Sequence, residues 1–154
     1  MSEVQFTEDD LNDFLEQAKT IPSAEAVYVL EPEGEVVCHQ GTCENVDTAY
    51  FTKYTDDSIG SDSLEFQGNS YAFIMEKESE PGSVENKMWL YMSKQKIQWG
   101  DKEPAKVGAV VMNHAAGLIV IVFCNENALR LILGEMQTYL IDQLQQISFN
   151  KPTY

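Results

Sequence analysis

The side chains best suited to bind a metal or to pair a nucleophile with a base are Cys38, His39, Cys43, His114 and Cys124. Cys38-His39 with Cys43, joined by His114 or Cys124, would supply the thiolate and imidazole ligands that zinc takes in tetrahedral sets. The spacing matches no common structural zinc motif, and thiols scattered through core and loops account for the same residues without a metal. An odd number of cysteines with no secretory pattern points to reduced thiols, so neither metal nor cofactor is expected. His39 and His114 fall in or beside turn chemistry as lone residues. The carboxylates Glu76, Glu78, Glu80 and Glu8-Asp9-Asp10 lie in runs that read as solvated surface or as a helix N-terminus, where negative charge suits the dipole. There is no G-x-S-x-G elbow, H-E-x-x-H, P-loop, C-x-x-C or dinucleotide fingerprint. Nothing assembles a nucleophile, a base and an oxyanion stabiliser, and the chain is not expected to be an enzyme.

Charge narrows the partners. The 25 acidic residues against 10 basic ones give a net charge of −15, and Arg130 is the only arginine. Nucleic acid and anionic membrane would find no basic face to displace their counterions. Large amphipathic side chains exceed what one small core needs: Trp89, Tyr91, Trp99, Tyr71, Phe73 and the tyrosines near both ends. Tyr and Trp are favoured where proteins bind proteins. Burial beneath helices is the other reading of the same residues.

Positioning these groups falls to one domain, 1–154, since 154 residues bury a single core and are short for two. With no basic n-region ahead of an apolar segment, and no run near the roughly 20 residues that span a bilayer, a cytoplasmic protein is expected. Residues 107–147 are the surest buried stretch. Leu118, Ile119, Val120, Ile121, Val122 and Phe123 show no one-sided alternation, which predicts a central strand covered on both faces. Leu129, Ile132, Leu133, Met136, Leu140 and Leu144 then recur by threes and fours, as in a helix laid on an apolar surface, with Asn125 or Asn127 as its cap.

Earlier in the chain, Thr7-Glu8-Asp9-Asp10 fits a capping box ahead of Leu11, Phe14, Leu15 and Ala18, predicting a helix over about 8–19 that stops before Ile21-Pro22. Ala26–Leu30 and Glu35–Cys38 flank turn chemistry and predict a hairpin. A short helix over Val46–Lys53, capped by Asn45, follows. Leu64–Phe66 and Ser70–Lys77 form a second hairpin about Gln67-Gly68-Asn69, Lys87–Ser93 is a further strand, and Lys94–Lys106 is a projecting arm or long loop. Short meander connections make the sheet mainly antiparallel, with the terminal helices covering it.

From Leu64 onward the sequence resembles profilin, the small actin-monomer-binding protein. LEFQGNSYAFIMEKE resembles that family's strand, glycine turn and strand; VGAVVMNHAAGLIVIVFCNEN its penultimate hairpin; EMQTYL its terminal helix; and LNDFLEQA stands in the place of its first helix. Residues 39–63 and 94–106 have no clear counterpart, so the likeness is to a divergent, acidic member with insertions, as in some archaea and protists. It implies an α/β (α+β) fold: a profilin-like, mainly antiparallel sheet of six to seven strands flanked by N- and C-terminal helices. A longin or roadblock-type small-GTPase regulatory or scaffold domain shares a related layout and is the alternative.

The resemblance implies a monomer that binds actin monomer, regulates actin polymerisation and nucleotide exchange on actin, and belongs with the cytoskeleton. Its actin contacts would be Ser70, Ala72, Met75, Tyr91, Val107, Ala109, Asn125, Asn127, Arg130, Leu131 and Glu135. Several positions where the family often carries lysine or arginine are Ser70, Met75 and Tyr91, which removes electrostatic steering toward acidic actin. Proline-rich peptides would dock weakly at Leu11, Phe14, Val36 or Val37, and Tyr139, where two family tryptophans are absent. The want of a basic cluster argues against phosphoinositide binding.

Overall fold

A computed structural model describes residues 8–32, 34–40, 46–60, 62–98, 103–114 and 117–142. Strands β1 (Ala26–Leu30), β2 (Val36–His39), β3 (Leu64–Phe66), β4 (Asn69–Lys77), β5 (Lys87–Ser93), β6 (Val107–His114) and β7 (Leu118–Asn125) build one sheet. Its order is β2-β1-β7-β6-β5-β4-β3, with every neighbouring pair antiparallel. Helix α1 (Glu8–Ala18) precedes the sheet, a 3₁₀ turn (Thr48–Phe51) leads into α2 (Thr52–Thr55), and α3 (Leu129–Met136) follows β7. This is the α+β, profilin-like antiparallel arrangement expected, at seven strands.

Strand β7 has its predicted position, between β1 and β6 and covered on both sides. Leu118, Val120, Val122 and Cys124 point to the face carrying α1 and α3; Ile119, Ile121 and Phe123 point to the other. All seven are essentially inaccessible. Side chains of this kind contribute about 1.5–3 kcal/mol each on burial, which makes β7 the keel of both cores.

On the first face, Leu11, Phe14, Leu15 and Ala18 of α1 pack with Leu129, Ile132 and Met136 of α3. Spacings of three and four turn one side of each helix to the sheet. Helix α1 ends at Ala18, ahead of Pro22 as the sequence requires; Thr7, its expected cap, lies outside the described residues. Asn125 Oδ1 accepts from the Asn127 amide and so caps the 3₁₀ turn that opens α3. The helix rests so closely on β6 that a Cβ built on Gly108 would lie 2.5 Å from Leu129 Cδ1. After Met136 the chain widens into a π turn over Gln137–Asp142. Leu140 remains buried there; Leu144 and Ile147 lie outside the described residues.

The opposite face takes up Tyr71, Phe73, Trp89 and Tyr91 from the excess aromatic residues, while Trp99 lies outside the described residues. Phe51, Tyr54, Ile59, Phe66, Tyr71, Trp89, Tyr91 and Phe123 form a second core under the 3₁₀ turn and α2, not under the terminal helices. Tyr54 meets Trp89 edge-on at 4.9 Å, and Tyr28 meets Phe66 at the same distance. Edge-to-face geometry adds about 0.5–1.5 kcal/mol per pair to simple burial. The short helical segment falls near its predicted place, but Asp47 caps it, accepting from the Ala49 amide at 3.1 Å. Asn45 lies outside the described residues. Gln67 and Gly68 both take positive φ between the paired Phe66 and Asn69, as a two-residue turn must to follow strand twist. Ile97 bridges Ala105 at the base of the predicted arm.

Candidate interaction surface

Helix α1 lies on β1 and β2, and α3 on β6 and β7. The β5–β4 half of that face carries less cover. Alternation along β4, read from its partners, turns Ser70, Ala72 and Met75 to the helix side: Ser70 opposes Glu65, Ala72 opposes Met92 and Met75 opposes Leu90. Ser70, Ala72 and Met92 are half-buried and Met75 is 43% exposed. A bulge between Phe73 and Met75 restores Met75 to this side after the extra residue Ile74.

Helix α3 forms the border of this surface. At about 100° per residue, the buried line Leu129, Ile132 and Met136 leaves Glu135 on one flank and Arg130 with Leu133 on the other. Glu135 accepts from the Ser23 amide and hydroxyl, both at 3.0 Å, which ties its flank to the α1–β1 turn. The opposite flank therefore faces β5, and it carries exposed Arg130, which has no ion-pair partner among the described residues. Asn125 is half-buried, while Asn127 and Leu131 are exposed near the helix start, Leu131 at 60%.

Thus Ser70, Ala72, Met75, Asn125, Asn127, Arg130 and Leu131 are accessible at least in part, and Glu135 is occupied as a tie between loop and helix. Tyr91, Val107 and Ala109 are corrected. Their odd-numbered register turns them to the second core, where they are 0–2% exposed and beyond reach of a macromolecular partner. The expected proline-peptide groove does not assemble either. Leu11 and Phe14 are wholly buried against the sheet, and Val37 points to that core; Val36 and Tyr139 are partly accessible, but Val36 packs on the opposite face.

One cluster escaped the sequence reading. Lys87 opens β5, yet only 2% of its side chain is exposed. Its Nζ donates to Asp57 Oδ2 at 2.7 Å, lies 3.0 Å from Glu76 Oε2 and 3.9 Å from Glu78 Oε2, and sits 5.2 Å from the Trp89 ring centroid. Burial works to lower the ammonium pKa, but hydrogen bonds to Asp57 and Glu76 outweigh it and hold the pKa above its ordinary value. The lysine is thus a charged tie joining β4, β5 and the loop after α2. Beside it, the indole N–H of Trp89 is buried without an acceptor among the described residues. The signal available in the sequence was a lysine inside an otherwise apolar strand.

Comparison with family models, curated proteins and solved structures finds no match.

The remaining reactive groups have structural partners. His114 Nε2 lies 2.6 Å from the Leu140 carbonyl, and because a carbonyl only accepts, this nitrogen carries the proton. The ring also meets Phe14 edge-on at 4.8 Å, so it links β6 to both terminal helices. Tyr54 and Tyr91 share a buried hydroxyl–hydroxyl bond of 2.8 Å, and burial raises both pKa values. Cys124 is buried, and burial, aided by Glu25 and Glu135, pushes its thiol up to about 12. Among the described residues no group of three or more His, Cys, Asp or Glu side chains could hold a metal ion; Cys43, part of the zinc expectation, lies outside them. No helix among the described residues is long and apolar enough to cross a membrane.

Proposed function

We propose that the chain is a non-enzymatic actin-monomer-binding module that regulates filament assembly and nucleotide exchange on actin. One observation carries the proposal. On the helix-bearing face of a profilin-like sheet, Ser70, Ala72 and Met75 share one partly accessible side of β4, and Arg130 is exposed on α3, which lies on β6 and β7 of that face. The surface mixes apolar side chains with one cation, so affinity toward an acidic partner rests on packing and hydrogen bonds, with Arg130 as the charged contact.

Pyrene-actin assembly and co-sedimentation, using actin from the same source, test the proposal. Excess protein should slow assembly and hold actin in the supernatant; unchanged assembly refutes the function. Arg130→Glu should weaken binding about tenfold, the equivalent of about 1.4 kcal/mol. Undiminished affinity removes Arg130 from the contact.

A further inference from the structure

Strand β3 pairs with β4 only from Asn69 to Tyr71. Beyond that point, Ala72 to Lys77 of β4 has no strand partner on its outer edge among the described residues. An edge of this kind offers backbone donors and acceptors to an incoming strand. It is also apolar at its centre, with Ile74 45% and Met75 43% exposed. Immediately beside it lies a recess of about 390 Å³ lined by Asp57, Gly60, Phe73, Met75 and Glu76. Phe73 and Met75 give the recess an apolar wall, and Asp57 and Glu76 give it carboxylates. Lys87 contacts a single oxygen of each carboxylate, and with Glu78 nearby three acidic groups surround one cation.

The geometry points to a second binding site here, for an extended basic polypeptide segment of a partner protein. The segment adds to β4 as a further strand along Ala72–Lys77. One of its Lys or Arg side chains enters the recess, laying its stem on Phe73 and Met75 and its charged head against Asp57 and Glu76. Charge complementarity selects this occupant. A second copy of the chain would bring another net charge of −15 to an edge already rich in carboxylates, whereas a basic segment relieves that field. The bulge at Phe73–Met75 and the charges of Glu76 and Lys77 obstruct indiscriminate edge pairing, leaving addition to a segment whose side chains match. This site shares Ala72 and Met75 with the proposed actin surface, but it rests on the open edge and the recess and not on that proposal.

The test is fluorescence anisotropy with an end-capped octapeptide alternating valine and lysine, at about 0.15 M salt. Two comparison peptides separate the contributions: one with glutamate for lysine, and one N-methylated at alternate residues so that a bonding edge is blocked. The basic peptide should bind, each comparison peptide should bind at least about tenfold more weakly, and Ile74→Lys should weaken the basic peptide by a similar factor. Amide shifts on binding should centre on Ala72–Lys77, and thermal unfolding of Ile74→Lys should match that of the parent. Absence of binding overturns the site. So does equal binding of the N-methylated peptide, which would mean charge attraction alone. Shifts centred elsewhere, or self-association through this edge in sedimentation, overturn it as well.

Discussion

Replacing Lys87 by methionine tests whether the buried ammonium stabilises the fold. Breaking one side of a fully buried ion pair costs about 3–5 kcal/mol, because the abandoned charge has no solvent. Here the partners are less confined: the side chains of Asp57, Glu76 and Glu78 are 39%, 45% and 40% exposed, so they rehydrate once the lysine is gone. Methionine also keeps an unbranched stem near Trp89 and removes the cost of desolvating the ammonium. Discounting for that screening leaves a loss of about 1–2 kcal/mol, or a drop in Tm of about 2–8 °C for a domain of this size. Thermal unfolding at neutral pH measures it.

The pH dependence identifies the cause. A lysine whose folded pKa lies above its ordinary 10.5 contributes stability fully present below 10.5 and lost as pH rises through the folded value. The gap between parent and Lys87→Met should therefore be constant from neutral pH to near 10 and close above 10.5. Equal or greater stability of Lys87→Met at neutral pH refutes the account, since the ion pair would then be worth no more than an apolar side chain. A gap that persists through the alkaline range would assign the effect to packing.

Gly108→Ala should cost about 1–3 kcal/mol in chemical denaturation, because the new methyl must displace Leu129 Cδ1 and crowd Cys124 Sγ, 3.2 Å away. Tyr54→Phe should cost about 1–2 kcal/mol, leaving the buried Tyr91 hydroxyl without its partner; a neutral result would remove the hydrogen bond from the list of stabilising contacts. Cys124 should resist thiol reagents at pH 8 in the folded protein and react promptly in denaturant. Its burial and a pKa of about 12 leave almost no accessible thiolate, so rapid labelling of Cys124 under native conditions would contradict the packing.

Local pattern made much of the fold legible. The uninterrupted apolar run of β7 implied cover on both faces, and the 129–136 stripe implied a helix on one of them; both follow from side-chain period alone. The Asp57–Lys87–Glu76 cluster was not legible, because its members come from a loop and two strands, and each carboxylate by itself resembles ordinary solvated surface. Placing Tyr91, Val107 and Ala109 in an exposed contact failed for a related reason. Alternation says which residues share a face, but only the position of α2 says that this face is closed. Ser70, Ala72 and Met75 emerged on one side because resemblance supplied the strand and the bulge supplied the register.

The place of β1 beside β7 has a consequence for the order of events at the ribosome. Val27 meets Val122, whereas every other pairing in the sheet joins strands consecutive in sequence. At typical synthesis speeds the first hairpin must wait on the order of ten seconds for its partner to be made. During that time Ala26–Leu30, buried on both faces in the finished molecule, has only β2 beside it. The emerging chain thus carries a sticky apolar ribbon until its penultimate segment arrives, and holdase chaperones would find their opportunity in that interval.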